Sequence, residues 1–176
     1  LTALYSHEHD QGDLTLLADN EVFNPTKKIN NNVAFVGPLV WHNNLPVSEK
    51  IKNLSKDKNT IYWNIGSIAT EAFIEMLQKM KGNNYQFIIT TGINAGIEKL
   101  TSAEGIVIEP LANMDALLPY CDLVCCHGGN GTIYQALSHG LPILGLAQHD
   151  EQYYNLLRVN ELKLGRGFSP SESKKM

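Results

Sequence analysis

The chain has 176 residues, of which 43% are hydrophobic, so it is long enough and apolar enough to bury the core of one domain. Its 14 Lys and Arg residues against 18 Asp and Glu residues give a net charge of −4, which leaves no basic excess to neutralise a nucleic-acid backbone. These values exclude a wholly disordered chain and a general nucleic-acid-binding protein.

The first 58 residues are loosely patterned. Short strands are predicted at 13–18 and 32–37, and a charged helix or loop at 48–58. Proline and asparagine are frequent between these segments, as is typical of linkers. We therefore expect residues 1–58 to lead into a main domain that comprises residues 59–176.

From residue 59 onward, apolar strands alternate with amphipathic helices. The predicted strands are residues 60–65, 85–90, 105–108, 122–126 and 142–146. The predicted helices are residues 70–81, 113–120, 131–139 and 150–163. Asp150 is the expected N-cap of the last helix and Gly165 its stop, and a polar tail without periodicity follows from Ser169. This alternation predicts a Rossmann-like α/β domain with a doubly wound parallel sheet.

Cysteine content and hydropathy bear on the compartment and on metal binding. Cys121, Cys125 and Cys126 are an odd number in one apolar stretch, which is a poor disulfide framework and fits a reducing environment. Although His127 follows directly, no second Cys or His pair lies at zinc-site spacing, so we expect buried thiols and no bound metal. No apolar run approaches the ~20 residues of a membrane span, and the first residues do not resemble a signal peptide. The expected location is the cytoplasm.

The turn from His127 to Thr132 is the clearest candidate for a binding site. Three glycines, Gly128, Gly129 and Gly131, let the backbone turn sharply from a strand into a helix and approach a ligand. Ligands bind at the carboxyl ends of strands in doubly wound sheets, and the first N–H groups of a helix attract phosphate. The turn is neither a Rossmann Gly-x-Gly-x-x-Gly nor a Walker loop, since no Lys follows the last glycine.

The residues around this turn resemble a known family. Residues 127–142, His-Gly-Gly-Asn-Gly-Thr-Ile-Tyr-Gln-Ala-Leu-Ser-His-Gly-Leu-Pro, resemble the donor-binding signature of family 1 nucleotide-sugar glycosyltransferases. Residues 151–155, Glu-Gln-Tyr-Tyr-Asn, resemble the acidic-Gln-x-x-Asn element of that family, and residues 65–67 its strand-ending Gly-Ser. Residues 109–111 resemble the segment beside the base pocket, and residues 32–41 the connection that precedes the C-terminal domain. These elements occur in the order of the family.

The resemblance implies the C-terminal half of a GT-B fold, whose Rossmann-like domain binds a nucleotide-sugar donor, here a UDP- or dTDP-sugar. Residues 1–58 would be the end of the N-terminal domain and the interdomain linker, and residues 59–176 the donor-binding domain without its C-terminal helix. No cofactor is implied, since the nucleotide-sugar is a substrate. The acceptor, a small molecule or a lipid, would bind through the N-terminal domain, which also supplies the catalytic base. This chain is therefore expected to hold no catalytic residue and to be inactive alone.

The matched positions imply three groups of contacts. The diphosphate contacts are Ser67, His127, Gly128, Gly129, Gly131 and Thr132. The ribose and base contacts are Gln135, Ile108, Pro110 and Leu111. The sugar contacts are Glu151 and Gln152. A purely structural role stays open for several of these residues, because caps and first helical turns favour the same side chains.

Two departures from the family pattern concern the nucleotide. Many members carry Glu at the position of Gln135, where it accepts hydrogen bonds from both ribose hydroxyls, and an amide oxygen accepts more weakly than a carboxylate. Gln135→Glu is therefore expected to tighten nucleotide binding. In the plant branch a Trp and a Gln stand at the positions of Ile108 and Leu111. Their aliphatic replacements predict a base held by apolar contact near Pro110, as in bacterial antibiotic- and sterol-type members.

Other functions stay open at this point. The chain could belong to another GT-B branch, such as the lipid-linked N-acetylglucosaminyl transferases or the sugar-nucleotide 2-epimerases. It could also be a donor-binding subunit that a separate partner chain completes. The sequence upstream of Leu1 would discriminate between a fused enzyme and a split one.

Overall fold

The computed structural model describes residues 13–25, 31–64, 77, 79–80, 84–92 and 104–173. The chain forms two compact units, Leu1–Leu39 and Val40–Met176. The boundary lies before the expected one at 58/59, so residues 40–58, which we interpreted as linker, belong to the second unit.

The described part of the first unit is a two-stranded parallel sheet. It pairs β1 (Thr15–Leu17) with β2 (Val33–Phe35), with Thr15 opposite Val33. The strands are short because the turn after β1 begins at once, where Asp19 accepts a hydrogen bond from Asn24. Both predicted strands of this region are present.

The second unit is built on a six-stranded sheet in which every neighbouring pair is parallel. Its strands are β3 (Asn59–Asn64), β4 (Tyr85–Thr90), β5 (Ile106–Glu109), β6 (Leu123–Cys126), β7 (Ile143–Leu146) and β8 (Gly165–Phe168). Their order is β5-β4-β3-β6-β7-β8. Within this unit the order is the 3-2-1-4-5-6 arrangement of the Rossmann fold, and it confirms the predicted fold class.

The described helices of this unit precede β3, join successive strands from β5 onward, and follow β8. They are α1 (Glu49–Lys52), α2 (Met114–Leu117) with a 3₁₀ turn at Leu118–Tyr120, α3 (Asn130–Ser138), α4 (Asp150–Glu161) and α5 (Pro170–Ser173). Asn113 caps α2, since its side-chain oxygen accepts a hydrogen bond from Ala116 N–H at 3.2 Å. The predicted helix at 70–81 lies mostly outside the described residues. Leu77, one of its described residues, is buried in the sheet core.

The core explains why the strands read as apolar runs. Phe87, Ile88 and Ile89 of β4 are all buried, because a strand inside a parallel sheet is covered on both faces. The three cysteines are buried free thiols, and burial raises the pKa of the Cys126 thiol to about 11. They therefore act as small core side chains.

Gln86 is a buried polar exception on β4, and it explains why residues 53–58 stay with the sheet. Its amide nitrogen donates to the Ser55 carbonyl at 2.7 Å and to Thr60 Oγ1 at 2.8 Å, and its oxygen accepts from Ser55 N–H at 3.1 Å. A buried polar side chain that is satisfied on both sides fixes the loop that it contacts.

Three predictions about the last part of the chain are wrong. The N-cap of α4 is His149, and Asp150 is the first helical residue. The helix ends at Glu161, and Lys163 takes a positive φ of 57° after it, so Gly165 begins β8 rather than ending the helix. The tail predicted from Ser169 forms α5, whose start is fixed by Ser169 N–H donating to Glu172 at 2.9 Å.

Among the described residues, no helix is both long enough and apolar enough to cross a membrane.

Candidate functional site

The candidate site lies where the strand order of the main sheet reverses. The chain runs outward from β3 through β4 to β5, and then returns to place β6 on the other side of β3. In doubly wound sheets such a reversal leaves a crevice at the carboxyl ends of the two strands beside it, here β3 and β6. Asn64 ends β3 and His127 follows β6, so both stand at this crevice.

The start of α3 is open toward this crevice. Gly129 is its N-cap, no side chain caps it, and its first internal hydrogen bond runs from Ile133 N–H to the Gly129 carbonyl at 3.1 Å. A Cβ placed at Gly131 would meet no atom within 4 Å. The amides at the first turn of α3 can thus be reached by a ligand, and the positive end of the helix dipole favours an anion there.

Gly128 is required by its positive φ and by the close approach of backbone, and Gly129 lies against the side chain of His127. Gly128 has φ +96°, and a Cβ there would lie 2.8 Å from the Gln152 carbonyl oxygen. A Cβ at Gly129 would lie 2.7 Å from His127 Nε2. Asn155 of α4 holds the turn from behind, since its side-chain nitrogen donates to the Gly128 carbonyl at 3.0 Å. The turn is therefore rigid before any ligand arrives.

His127 is half-buried beside this turn. Burial lowers the pKa of its imidazole below the usual 6.5, and the nearby His149 lowers it further, whereas Glu151 acts in the opposite direction. His127 is therefore neutral at pH 7 and presents one N–H donor. His149 is exposed, and its Nδ1 lies 3.9 Å from Glu151 Oε2.

A cleft of about 290 Å³ lies on the β3 side of α3. The residues that line it are Trp41, Asn43, Tyr62, Asn64, Thr90, Gly92, Pro110, Leu111, Ala112, Asn113, Met114, Gly131, Thr132 and Gln135. None of these carries a charge, so the start of α3 is the main electropositive feature of the cleft among the described residues.

Asn64 orients the hydroxyl group of Thr132 in this cleft. Its side-chain nitrogen donates to Thr132 Oγ1 at 3.3 Å, across the seam between β3 and α3. Because the oxygen of Thr132 is accepting, its own proton remains available to donate to a ligand. On the cleft floor, the hydroxyl groups of Tyr62 and Thr90 share a buried hydrogen bond of 2.7 Å.

The structure brings five of the matched positions into this cleft. Gly131 and Thr132 lie at one end of its lining, and Gln135, one turn further along α3, shares the lining with Pro110 and Leu111 after β5. Ile108, by contrast, is partly buried and packs against the sheet core, so it does not line the cleft. Ser67 lies outside the described residues.

The two positions matched to sugar contacts lie after β7, outside the cleft lining. Glu151 is exposed, whereas Gln152 is buried and its side-chain oxygen accepts a hydrogen bond from Gln148 N–H at 2.9 Å. Among its contacts with described residues, none uses the side-chain N–H₂ group of Gln152, so this group can donate to a ligand.

Three residues of the site were missed by sequence reasoning. Asn64 is a polar residue at the carboxyl end of a strand, and that position alone was a usable signal. Asn155 belongs to the matched 151–155 element, but its contact with Gly128 needs the fold. Trp41 belongs to the region that was interpreted as linker, and it is 66% exposed and lines the cleft.

No group of three or more His, Cys, Asp or Glu residues is placed to hold a metal ion in the described ranges. Metal-free binding therefore stays a prediction.

Comparison with known proteins identifies relatives of this arrangement. Residues 65–175 match the family described as the glycosyltransferase family 28 C-terminal domain. A PGL/p-HBAD biosynthesis glycosyltransferase of Mycobacterium tuberculosis (strain ATCC 25177 / H37Ra) is 26% identical over 145 residues, covering 82% of this chain and 34% of that protein. The uncharacterized UDP-glucosyltransferase YdhE of Bacillus subtilis (strain 168) is 24% identical over 169 residues, covering 93% of this chain and 42% of that protein.

Solved structures agree on the fold. The spinosyn rhamnosyltransferase SpnG, complexed with thymidine diphosphate, matches with a TM-score of 0.70 at 14% identity, covering 94% of this chain and 46% of that one. The chain thus spans less than half the length of each of these proteins. Its sheet matches the Rossmann-like C-terminal half of GT-B glycosyltransferases.

Proposed function

Since this chain belongs to the glycosyltransferase family 28 C-terminal domain family, we propose that it binds the nucleotide-sugar donor of a glycosyltransferase. The donor's sugar is moved to the hydroxyl group of an acceptor, and a nucleoside diphosphate leaves. The observation that carries the proposal is the open start of α3 at the reversal of strand order, beside a cleft of nucleotide size.

The diphosphate binds at the turn between His127 and Thr132. It would be held by amide groups of the first turn of α3, by the neutral imidazole of His127 and by the free hydroxyl proton of Thr132. As the bond from the anomeric carbon to the diphosphate breaks, negative charge grows on the leaving oxygen, and donors fixed in advance stabilise that charge. The resemblance to the family adds Ser67 to these diphosphate contacts.

The nucleoside extends from the diphosphate into the cleft, with its base beside Pro110 and Leu111. The thymidine diphosphate bound in SpnG supports a thymidine or uridine nucleotide as the ligand. The sugar lies on the β7 side, near Glu151 and Gln152, where carboxylate and amide groups suit sugar hydroxyls. No metal ion or cofactor takes part.

The acceptor and the catalytic base belong to residues outside this chain. Direct displacement needs a general base within hydrogen-bond reach of the acceptor hydroxyl, and the described site offers only the donor half of such a centre. The 34% coverage of the mycobacterial relative supports this division. We therefore expect the chain alone to bind donor weakly and to transfer no sugar.

The test is a heteronuclear NMR titration of the chain with uridine diphosphate and with inorganic pyrophosphate, both in the presence of EDTA. Both ligands should shift the amide signals of Gly128 to Thr132 first, and His127→Ala should weaken both to a similar degree. The matched control is His139→Ala, because His139 lies at the opposite end of α3. Shifts confined to other regions, or shifts that need a divalent cation, would contradict the proposal.

A further inference from the structure

A short segment, residues 41–43, crosses the cleft and is anchored at three consecutive residues. Gln135 Nε2 of α3 donates to the Trp41 carbonyl at 3.2 Å. The His42 ring lies 2.5 Å from Asp115 of α2. Asn43 donates through its side-chain nitrogen to the Ala112 carbonyl at 3.1 Å. The 41–43 segment is therefore tied both to α3 and to the start of α2.

The segment presents an aromatic residue to the cleft. Of the two aromatic residues that line it, Tyr62 is only 1% exposed and forms the floor, whereas Trp41 is 66% exposed. The Trp41 indole lines the cleft, is largely in contact with water, and stands on a backbone whose carbonyl is held by Gln135. A ligand that enters the cleft can therefore cover it.

We propose that Trp41 provides the aromatic face on which the nucleotide base stacks in this cleft, with Gln135 as the residue that positions it. The inference rests on the proposed function, because it deepens the account of the same site. It also assigns the Gln135 amide a different partner from the ribose.

The layout of the cleft fixes which end of a nucleotide meets Trp41. The diphosphate end is at Gly131 and Thr132, and Gln135 lies one turn, roughly 5 Å, further along α3. The Trp41 carbonyl is hydrogen-bonded to that second turn, so Trp41 stands beyond the phosphate end along α3, on the side expected for the nucleoside. Pro110 and Leu111 line the same cleft and supply an apolar wall for the base.

Gln135 suits the positioning role because of its amide. It is 8% exposed, and its N–H₂ group must donate to a carbonyl that no other described side chain reaches. Its side-chain oxygen remains free to accept a hydrogen bond from a hydroxyl group of the ligand. A single amide can therefore hold the 41–43 segment and contact the nucleoside.

The experiment compares uridine diphosphate with inorganic pyrophosphate as ligands of the whole 176-residue chain. Trp41→Ala should weaken uridine diphosphate binding by about tenfold, as base–aromatic stacking implies, and leave pyrophosphate binding unchanged. Trp41→Phe should retain most of the affinity. Tyr85→Ala is the control, because Tyr85 is an exposed aromatic residue at the opposite, amino end of β4.

Intrinsic fluorescence gives a second readout. The chain contains two tryptophans, and Trp63 is buried in the sheet core at 8% exposure, so quenching by acrylamide reports on Trp41. Uridine diphosphate should protect the wild-type fluorescence from acrylamide, and pyrophosphate should not. Wild-type affinity for uridine diphosphate in Trp41→Ala, or equal losses for both ligands, would overturn the role of Trp41 alone. Failure of the wild type to bind either ligand would instead overturn the proposed function and this inference with it.

Discussion

His127 shows how a single side chain is tuned by its surroundings. Burial and the neighbouring His149 lower its pKa, so the folded protein binds a proton at this position less readily than the unfolded chain does. The unfolded chain therefore takes up the proton first as the pH falls below 6.5, and the free energy of unfolding decreases from that point down through the folded-state pKa.

We predict from this that an NMR titration will find the His127 ring titrating below pH 6.5, and that pyrophosphate will raise this pKa because the anion stabilises the imidazolium. Urea unfolding should show a smaller loss of stability between pH 7.5 and pH 5.5 in His127→Gln than in the wild type. An unchanged pH dependence in that variant would mean that His127 is exposed to solvent.

The hydrogen bond of Gln135 leads to a prediction opposite to the one drawn from the sequence. A glutamate at this position resembles the family pattern more closely, but its carboxylate has no proton to donate to the Trp41 carbonyl at 3.2 Å. Losing this part-buried hydrogen bond costs about 0.5–1.5 kcal/mol.

The prediction is that Gln135→Glu weakens uridine diphosphate binding at pH 7.5 by roughly fivefold or more, since about 1 kcal/mol of that cost falls on the cleft. Affinity should recover relative to the wild type at pH 5.5, because a protonated carboxyl regains a donor and burial raises its pKa. Calorimetric titration at both pH values provides the measurement, with Gln135→Ala as the variant that cannot recover. Tighter binding at pH 7.5 would restore the ribose assignment from the sequence.

At the scale of elements, β8 was missed because its residues are poor strand formers. Gly165 and Gly167 lack side chains, and glycine is usually depleted from strands. In the fold this absence is required: a Cβ at Gly165 would collide with the Ile143 backbone, and one at Gly167 would lie 2.4 Å from Leu156 Cβ. Gly165 lets β8 approach β7, and Gly167 lets it approach α4, which no local pattern could indicate.

The outer edge of β8 is completed by a side chain from α4. Asn160 donates to the Gly167 carbonyl at 3.0 Å and accepts from Gly167 N–H at 2.8 Å, as a neighbouring strand would. Asn160→Ala should therefore lower the free energy of unfolding by about 1–3 kcal/mol for the two hydrogen bonds lost. Asn160→Asp keeps the acceptor and should lose less. Urea unfolding of both variants measures the difference, and a change within 0.5 kcal/mol for Asn160→Ala would show that β8 needs no such partner.

At the scale of the whole molecule, the two units differ in what supports them. Val40–Met176 contains the complete six-stranded sheet and its core, whereas the described part of Leu1–Leu39 has only two three-residue strands. We predict that residues 40–176 fold without residues 1–39 and show one cooperative urea transition. Circular dichroism and NMR dispersion of the truncated chain test this, and a molten or aggregated product would show that the first unit is needed.

Features that depend on local sequence patterns could be predicted, whereas features that depend on contacts between remote residues could not. The apolar strands β3 to β7 were predicted because burial on both faces leaves a local pattern. The strand order is not local, yet it makes Asn64 and Thr132 neighbours and so creates the crevice. The partner of the Gln135 amide depends on a rotamer and on a segment 94 positions away in sequence, and no motif carries that information.

The pairing of β3 with β6 affects the rates of folding and unfolding rather than the affinity for a ligand. Its two sides are remote in the chain, as the hydrogen bond from Thr60 N–H to Asp122 across 62 positions shows. Because contacts between remote positions slow folding, we expect this pairing to form late. A nucleotide that sits across these two strands can be held only by molecules that have already paired them. Such a ligand would leave the folding rate almost unchanged and slow unfolding, so that substrate supply would set how long each molecule survives.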